Sequence, residues 1–472
     1  MKIAVCLRQG QDGEINPFDA SAYECALSFP GAQVTLVSMG PAKVAELLER
    51  LSRLGAARAV LLCDPAFAGA DTLATAYTLS LAMKKLDPDL IFCGRQTLIG
   101  DTGQTGPMLA QMLDRPLCSG VLSLNGSVCR TRNGEQTIRP PAVLTVEKEA
   151  VLRLPSLRSR PVTPELWDAA ALGADVSRCG LQGSPTRVLQ TFENRSGRRN
   201  CNMIAPEQLT TLLSEALSAH MVRNKDDFSS SSEKLCRVFC IGDSPFPYAQ
   251  AICENPDVLP QTDPSTLAQA IRREKPDAVL FGNDPAGKEL AARTAAILQT
   301  GLCADCTALD VEDGRLVMYR PALSGALIAR IVCRTKPAMA TVQSKTGRTA
   351  GLTVAAGYGV RDHLEELRTL AGRWNADLAV SRKLVDHGYA PYAEQVGLTG
   401  KTVCPQVYLA FGISGAIHHI VGMDRSGTVI AVNPDPDAPI FHFADYGILC
   451  GFQDLFEMPS SPLRGPDKTI DV

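Results

Sequence analysis

Near the C-terminus, residues 396–402 read V-G-L-T-G-K-T, residues 408–419 read Y-L-A-F-G-I-S-G-A-I-H-H, and residues 429–441 read V-I-A-V-N-P-D-P-D-A-P-I-F. Two short apolar runs, 407–411 and 428–432, each end where small or polar residues begin. This pattern is typical of buried parallel strands that lead into ligand-binding loops. The sequence therefore predicts one crevice near Thr399, Ser414, His419, Asn433 and Asp445.

The turn at residues 412–415 separates the first run from a predicted helix, an arrangement that aims free backbone N–H groups at an anion. Residues 400–402, G-K-T, end like a phosphate-binding P-loop, but Gln395 stands where that motif needs a glycine, so a nucleotide triphosphatase is excluded. The glycine turn is only half of the usual dinucleotide fingerprint. Such turns also occur in proteins that bind nothing there, so spacing alone leaves the presence of a ligand open.

The whole stretch resembles the FAD-binding domain of the alpha subunit of electron transfer flavoproteins. The matching positions are Tyr408, Ala410, 412–417, His419, Asn433, 435–441 and 444–447. The resemblance implies a Rossmann-like FAD site formed by Ser381, Arg382, Val396, Gly397, Leu398, Thr399, Gly400, Ser414, Gly415, Ala416, Ile417, His418, His419, Asn433 and Asp445.

Three of these residues would tune the flavin electrostatically. The resemblance implies that His419 lies at the flavin O2, beside a helix start that adds positive potential, that Thr399 donates to N5, and that Arg382 lies over the ring. Leu398 and His418 replace glutamines of the family, and Tyr358 replaces an arginine. The net effect of these departures on the flavin potential is left open by the sequence.

The composition of the chain suits a globular protein of about three domains, with 472 residues, 45% hydrophobic residues and a net charge of −3. It provides no basic field for nucleic acid, and no segment resembles a membrane span. Residues 1–6 are predicted to form a first strand rather than a secretory signal.

Sixteen cysteines are scattered along the chain, several of them within apolar runs, which favours buried thiols in a reducing cytoplasm. Cys303 and Cys306 form a lone C-x-x-C. That spacing fits a redox pair or half of a metal site, but no second pair lies at zinc-like spacing, and we predict no metal site.

An internal repeat is visible in two pairs of segments. Residues 88–94 (P-D-L-I-F-C-G) are echoed by 276–282 (P-D-A-V-L-F-G), and residues 141–146 (P-A-V-L-T-V) by 337–342 (P-A-M-A-T-V). The echoes keep their order and nearly the same offset, so we predict two related α/β domains packed as a pseudo-dimer, each with a parallel sheet.

The predicted fold class is therefore α/β: two pseudo-dimeric parallel-sheet α/β domains plus a Rossmann-like FAD-binding domain. The predicted boundaries are 1–154 for the first α/β domain, 155–222 for an arm with a helix near 206–221, 223–234 for a serine-rich linker, 235–345 for the second α/β domain, and 346–472 for the FAD-binding domain.

The first half resembles the electron transfer flavoprotein beta subunit through N-P-F-D at 16–19, S-M-G-P at 38–41, C-G-R-Q at 93–96, G-D-T-G-Q-T-G-P at 100–107 and G-L-Q-G-S-P-T at 180–186. Residues from about 235 resemble the alpha subunit, including T-G-L-C-A-D-C-T at 300–307 and R-P-A at 320–322. The chain thus resembles a beta subunit fused to an alpha subunit, a pseudo-heterodimer within one polypeptide.

The beta-like half would hold a second nucleotide, either AMP as a structural ligand or a second FAD, and the segment 68–76 favours FAD. The residues predicted for it are Cys6, Asn16, Asp19, Met39, Asp71, Thr72, Thr75, Thr97, Asp101, Thr102, Gly103, Gln104 and Thr105.

Residues 153–157 resemble the partner-recognition loop, in which an exposed leucine, here Leu157, anchors an acyl-CoA dehydrogenase-type flavoenzyme. The resemblance implies an electron carrier between such a dehydrogenase or NADH and a downstream acceptor. One alternative is an electron-bifurcating flavoprotein with two FAD that oxidises NADH and reduces ferredoxin or flavodoxin. Another is a non-redox AMP-binding protein.

Overall fold

Short runs of β-branched and aliphatic residues alternate with helices along most of the chain, and this alternation produces parallel sheets. The computed structural model describes residues 1–10, 12–97, 100, 102–131, 134–148, 150–193, 198–218, 233–322, 327–342, 351–397 and 400–457. The chain divides into two compact units: Met1–Thr191 with Ser231–Leu323 and Ala329–Val342, and Phe192–Ser230 with Ser324–Ile328 and Gln343–Val472. The predicted linker lies outside the described residues, apart from Glu233 and Lys234.

The first part of the larger unit is a nine-stranded sheet of order β7-β6-β5-β8-β4-β1-β2-β3-β9 with four helices. The elements are β1 (Lys2–Leu7), α1 (Pro17–Leu27), β2 (Gln33–Met39), α2 (Val44–Ser52), β3 (Arg58–Leu62), α3 (Thr72–Leu86), β4 (Leu90–Gly94), α4 (Thr105–Met112), β5 (Leu117–Asn125), β6 (Val128–Thr131), β7 (Gly134–Thr137), β8 (Ala142–Val146) and β9 (Glu165–Trp167). Strands β5, β8, β4, β1, β2, β3 and β9 are parallel, and β6 and β7 add an antiparallel extension.

The predicted first strand is confirmed as β1, whose last five residues are buried. Helix α3 begins where it does because the Asp71 carboxylate accepts hydrogen bonds from the N–H groups of Leu73 (3.0 Å) and Ala74 (3.1 Å). This is the usual role of an aspartate at a helix N-cap.

A connecting segment follows, containing α5 (Ala169–Leu172), α6 (Gly180–Gly183), β10 (Thr186–Glu193), β11 (Asn202–Met203) and α7 (Leu209–Ser218). We expected an arm outside any core. The structure instead places β9, β10 and β11 in three different sheets, and Leu209 and Leu213 on α7 are fully buried in the apolar core of the smaller unit. The helix itself was predicted near residues 206–221, and its leucine spacing puts an apolar stripe on one helix face, but its burial depends on the sheet against which it packs.

The second part of the larger unit repeats the strand order of the first. Its elements are β12 (Val238–Ile241), α8 (Phe246–Ile252), β13 (Asp257–Leu259), α9 (Pro264–Glu274), β14 (Ala278–Gly282), α10 (Pro285–Leu298), β15 (Leu302–Cys306), β16 (Ala308–Glu312), β17 (Arg315–Ala322), β18 (Leu327–Cys333) and β19 (Ala338–Val342). The parallel sheet has order β13-β12-β14-β19-β15, which matches β2-β1-β4-β8-β5, and β10-β18-β17-β16 form a separate sheet.

The sequence echoes correspond to neighbouring strands in both sheets. Leu90 of β4 is in register with Ala142 of β8, and Ala278 of β14 with Ala338 of β19. The two parts also share an apolar cluster in which Leu73, Ala76 and Met108 lie with buried residues of β12, β14 and α10. A common strand order and a shared core support two related domains in contact.

The C-terminal part of the smaller unit contains β20 (Leu352–Ala356), α11 (Leu364–Arg373), β21 (Asp377–Val380), α12 (Arg382–Asp386), β22 (Val407–Phe411), α13 (Ile417–Ile420), β23 (Thr428–Val432), β24 (Tyr446–Ile448) and α14 (Phe452–Glu457). Its six-stranded sheet has order β11-β24-β23-β22-β20-β21, and every pair in it is parallel. The strands predicted at 407–411 and 428–432 are confirmed as the neighbours β22 and β23. The α/β fold class is thus confirmed.

Short 3₁₀ segments lie at Pro65–Phe67, Val176–Arg178, Pro206–Gln208, Tyr358–His363, Tyr392–Glu394 and Pro439–Phe443. In the part of the chain that the structure describes, no helix has both the length and the apolar composition that a membrane crossing requires.

Candidate functional site

The six-stranded sheet has a topological switch point between β20 and β22. The chain runs from β20 outward to β21, then returns to the other side of β20 for β22, so the connections that follow β20 and β22 run in opposite directions along the sheet. In open parallel sheets, ligands bind in the crevice outside the strand carboxyl ends at such a point. The residues that follow the strands here are Gly357 after β20, Ser381 after β21, Gly412 after β22 and Asn433 after β23.

The turn after β22 leaves a run of backbone donors unused. The N–H groups of Ile413, Ser414, Gly415, Ala416 and Ile417 donate to no acceptor among the described residues. Gly412 and Gly415 have φ values of +59° and +91°, which turn the intervening backbone into a concave run of N–H groups. The predicted anion-binding geometry is therefore present at the predicted place.

Gly415 of this turn and Gly357 of the loop after β20 are both required by their surroundings. A Cβ on Gly415 would lie 2.1 Å from the backbone nitrogen of Ile440, and one on Gly357 would lie 2.0 Å from the carbonyl oxygen of Gly412. The Gly357 N–H donates to the Phe411 carbonyl at 2.8 Å. Only glycine allows the two loops to approach this closely.

Asn433 holds the turn in place. Its Nδ2 donates to the Ile413 carbonyl (3.0 Å), its Oδ1 accepts from the Asp435 N–H (3.0 Å), and the residue is 7% exposed. We predicted that Asn433 binds ligand directly. The structure gives its side chain a role in shaping the loop that bears the free N–H groups.

Ser381 and Arg382 lie at the start of α12, next to the switch point. The Ser381 N–H donates to the Ala356 carbonyl (2.9 Å), while its buried Oγ has no hydrogen-bond partner among the described residues. Arg382 Nε lies 3.1 Å from Asp386 Oδ2, and about a third of each side chain is exposed. A buried hydroxyl without a partner among the described residues and a partly exposed guanidinium suit a polar, anionic ligand.

His419 is buried, with 6% of its surface exposed, and its Nε2 lies 2.8 Å from the hydroxyl of the fully buried Tyr408. Burial lowers the pKa of His419 to about 4, and the nearby Val396 backbone offsets only part of this decrease. The contact with Val396 does not meet the geometry of a hydrogen bond. Nδ1 is buried and has no hydrogen-bond partner in the described ranges.

The expected helix beside His419 is a single turn, Ile417–Ile420, with His419 as its third residue. One turn contributes little of the macrodipole that we expected to add positive potential, so that expectation was wrong. The tight Gly412–Gly415 turn uses the residues that would have formed the first turn of a longer helix.

The segment Val396–Gly397 packs against this short helix. A Cβ on Gly397, whose φ is +139°, would lie 2.6 Å from the His418 carbonyl oxygen. Gly400 packs equally closely on the Gln395 backbone. Leu398 and Thr399, predicted next to the ligand, lie outside the described residues. Ser414, Ala416 and Ile417 are exposed at this edge, and His418 is half-buried.

Asp445 does not belong to the crevice. It precedes β24, where its Oδ2 accepts from the Val429 N–H (2.8 Å) and pairs with Arg199, whose side chain is 2% exposed. Val429 lies near the amino end of β23, whereas Asn433 follows the carboxyl end, about 13 Å away at the usual rise per residue. The prediction for Asp445 was wrong because strand direction, not sequence proximity, decides which edge a residue reaches.

Tyr358 is surrounded by cations that the sequence did not single out. Lys383 Nζ lies 4.0 Å and the Arg361 guanidinium carbon 5.0 Å from the ring centroid, and the His387 ring lies 5.1 Å away. Lys383 and His387 are brought there by α12, which follows the neighbouring strand. The position at which the family has an arginine is therefore occupied here by an aromatic ring among basic side chains.

The nine-stranded sheet has its own switch point, between β1 and β4, but a carboxylate fills it. Asp19 accepts hydrogen bonds from the N–H groups of Arg8 (2.8 Å) and Gly94 (3.1 Å), which follow or end these two strands. Burial raises the pKa of Asp19 to about 7. Cys6 and Cys93 are buried side by side next to it, and the hydrogen bond that the Cys93 thiol donates to Cys6, together with burial, raises the pKa of Cys93.

Several other residues predicted for the second nucleotide also have structural partners. Asp71 caps α3 and binds the Thr186 hydroxyl (2.6 Å). Thr72 donates to Gln104 Oε1 (2.7 Å), and Gln104 Nε2 reaches the Leu302 carbonyl (3.4 Å). Asn16 Nδ2 donates to the Gln96 carbonyl (3.0 Å).

The predicted residues that are partly exposed are Met39, Asp71, Thr72, Thr75, Thr97, Thr102, Gly103 and Thr105. Asp101 lies outside the described residues. No side chain in the described part caps the first turn of α4, which begins at Thr105.

Arg320 is a residue that the sequence interpretation missed. It is 8% exposed on β17, and its Nη2 donates to the Gly100 carbonyl (2.9 Å) within the predicted nucleotide loop. Its buried Nε has no partner among the described residues. The repeat places β17 beside the loop of the other domain, which is information that local sequence lacks.

The predicted partner loop is exposed. Leu157 is fully exposed, and Val151 and Leu154 are each 89% exposed. Arg153, within the same loop, is tied to Glu24 of α1 by a bidentate ion pair with a shortest distance of 2.7 Å. An anchored loop therefore presents three apolar side chains to solvent.

All sixteen cysteines are free thiols. Cys306 is buried beside Cys303, and burial together with this neighbour raises the pKa of the Cys306 thiol. Among the described residues, no group of three or more His, Cys, Asp or Glu side chains is arranged to hold a metal ion.

Comparison with known proteins gives two family matches. The family described as "Electron transfer flavoprotein domain" matches residues 3–172 and 254–356, which together are more than half of the chain. The family described as "Electron transfer flavoprotein FAD-binding domain" matches residues 348–424. The first family thus covers both of the repeated domains, and the second covers most of the switch-point crevice.

Among curated proteins, the chain is similar to electron transfer flavoprotein subunit alpha of Thermoanaerobacterium thermosaccharolyticum, with 37% identity over 41% of this chain and 71% of the relative. It is 36% identical to the same subunit of Bacillus subtilis, over 40% of this chain and 70% of the relative. It is 32% identical to the acryloyl-CoA reductase electron transfer subunit beta of Anaerotignum propionicum, over 44% of this chain and 77% of the relative.

Proposed function

The chain belongs to the electron transfer flavoprotein family, and on this premise we propose that it is a single-chain electron carrier. In this proposal a beta-like half and an alpha-like half are fused in one polypeptide, and FAD binds at the switch point of the C-terminal sheet. The observation that carries the proposal is the run of free N–H groups from Ile413 to Ile417 at that switch point.

The residues present fit FAD. Free backbone N–H groups on a glycine turn suit the pyrophosphate, and glycine at 412 and 415 lets the turn pack against Val360 and Ile440 in the conformation that leaves these groups free. The orphaned Ser381 hydroxyl and the Arg382 guanidinium next to it offer further donors. We propose that these groups, with Thr399 and the half-buried His418, hold the cofactor.

FAD supplies reversible one- and two-electron chemistry when bound. The chain's own residues would set how strongly added negative charge is stabilised. The positive charge of Arg382 is partly neutralised by its ion pair with Asp386. His419 is neutral at pH 7 and adds no positive charge. Stabilisation of negative charge therefore depends on hydrogen-bond donors more than on full charges.

We also propose a second nucleotide, FAD or AMP, in the beta-like half. The uncapped start of α4 at Thr105 and the half-exposed Thr97, Thr102 and Gly103 support a phosphate there, with Arg320 reaching the same loop. Asp19, Asp71 and Gln104 would shape this site through their structural contacts. With a second FAD, the chain would be a candidate for electron bifurcation with NADH.

For the partner, we propose a dehydrogenase of the acyl-CoA dehydrogenase type docking on the loop around Leu157. Full exposure of this leucine on an anchored loop supports a transient contact, since one apolar anchor in a pocket stabilises such complexes. Leu157→Ala should leave the free energy of unfolding within about 0.5 kcal/mol of wild type. It should slow electron transfer from the partner, and Leu166→Ala, exposed on β9, is the matched control.

The direct experiment is to purify the chain, record its visible spectrum, and release and identify its nucleotides. One FAD per chain is expected, with a second FAD or an AMP. A colourless protein that carries only AMP would refute the carrier and support the non-redox alternative. One FAD with one AMP would exclude bifurcation through two flavins.

A further inference from the structure

Tyr408 and His419 form an isolated buried pair inside the smaller unit. The Tyr408 hydroxyl lies 2.8 Å from His419 Nε2, and the two rings are 6.2 Å apart at their centroids. Tyr408 is fully buried, and His419 is 6% exposed. Across the described residues, neither side chain has any other hydrogen-bond partner.

The direction of this hydrogen bond follows from the two ionisation states. Burial raises the pKa of Tyr408, so the phenol keeps its proton, and burial lowers the pKa of His419 to about 4, so the imidazole is neutral at physiological pH. The phenolic O–H has no acceptor other than Nε2 in the described structure. A buried hydroxyl without an acceptor is costly, so it donates to Nε2.

A neutral imidazole carries one proton, and a ring nitrogen that accepts a hydrogen bond cannot hold it. The proton of His419 is therefore on Nδ1. Nδ1 is the atom that has no partner among the described residues, and the Val396 backbone lies beside it. The Nδ1–H group of His419 is thus a fixed hydrogen-bond donor next to the segment Val396–Gly397 at the edge of the crevice.

We propose that Tyr408 is a positioning residue that locks His419 in its neutral, Nδ1-protonated tautomer, so that His419 offers the crevice a hydrogen-bond donor rather than a positive charge. The tautomer follows from the protein alone. Only its consequence for FAD rests on the proposed function. Contact between this donor and the cofactor requires the Val396–Gly397 backbone packed against His419 to shift.

The tautomer is measured directly by ¹⁵N NMR of protein labelled at its six histidines, in the cofactor-free and the FAD-bound state. The His419 signals are assigned from their loss in His419→Gln. We expect the protonated nitrogen to be Nδ1, with a preference of about tenfold or more from one hydrogen bond. A protonated Nε2, or two protonated nitrogens at pH 7, would overturn the proposal without any further variant.

Tyr408→Phe removes the hydroxyl and keeps the ring. We expect the His419 tautomers to become mixed, and the reduction potential and visible spectrum of bound FAD to shift from wild type. Tyr23→Phe is the matched control, since Tyr23 is also fully buried but donates to the Leu51 carbonyl in the other unit. It should change neither readout.

An unchanged tautomer in folded Tyr408→Phe would refute the role of Tyr408. If that variant does not fold, the His419 tautomer measured in the wild-type protein still tests the proposal. A protein that binds no FAD but shows the Nδ1 proton would separate failure of the proposed function from failure of this inference.

Discussion

Two parallel sheets of this chain have switch points with opposite contents. Between β1 and β4, the Asp19 carboxylate satisfies the N–H groups of Arg8 and Gly94, so the protein fills its own crevice. Between β20 and β22, the N–H groups of Ile413 to Ile417 have no acceptor in the described structure. The same topology thus leaves backbone donors satisfied by a side chain in one sheet and free in the other, and the free donors support the proposed FAD site.

Gly415→Val should have the largest effect, because it disrupts the turn that carries the free N–H groups between β20 and β22. A Cβ there meets the Ile440 backbone at 2.1 Å, and φ of +91° is unfavourable for valine. We expect the free energy of unfolding to fall by about 3 kcal/mol or more, and the FAD content of purified protein to fall to near zero. Denaturant unfolding and flavin absorbance measure the two effects.

Gly372→Ala is the control, because Gly372 lies on α11 with nothing within 4 Å of an added Cβ. Alanine should stabilise that helix by about 0.5–1 kcal/mol and leave FAD bound. Full FAD content in Gly415→Val would show that the turn does not bind the cofactor.

Asp445→Asn separates the two edges of the C-terminal sheet. The change removes the Asp445 carboxylate that pairs with the buried Arg199 guanidinium. We expect a loss of about 3 kcal/mol in the free energy of unfolding but one FAD per folded chain. Asp437→Asn, exposed in the loop after β23, should change neither quantity. Loss of FAD with an unchanged free energy of unfolding would show that Asp445 belongs to the FAD site.

Asp19→Asn tests the filled switch point through pH. Because the folded pKa of Asp19 is raised to about 7, its contribution to stability is fully present below about pH 4 and is lost as pH rises through about 7. The free energy of unfolding of wild type should therefore fall between pH 5 and pH 8 by about 1–3 kcal/mol more than that of the variant.

Denaturant unfolding at both pH values gives this difference, and all other titrating groups are shared by the two proteins. Equal pH dependence in wild type and Asp19→Asn would mean that Asp19 is ionised in the folded state throughout this range.

Much of the fold could be predicted from local sequence. The strands β22 and β23 and the first strand were visible as apolar runs, because a strand buried on both faces needs a continuous apolar segment. The repeat was visible because equivalent strands in two related domains keep similar residues. The helix α7 was missed as a core element, since its burial depends on the sheet against which it packs.

The candidate site was predicted more coarsely than the fold. The glycine turn was found because close backbone approach can be met only by glycine. Asp445 was assigned to the wrong edge of the sheet. The hydrogen bonds that Asp19 accepts from Arg8 and Gly94, and those that Asn433 makes to Ile413 and Asp435, were not predicted. Each of these depends on which strand ends meet across a sheet, a relation between residues far apart in sequence.

The sequence by itself determined the α/β class, the repeat and the location of the glycine turn after β22, because periodicity and glycine spacing are local properties. Only the tertiary structure decided which donors are free, which carboxylate fills a crevice, and which nitrogen of His419 carries the proton. Burial and hydrogen-bond partners set those states, and both are defined only once distant segments of the chain have packed together.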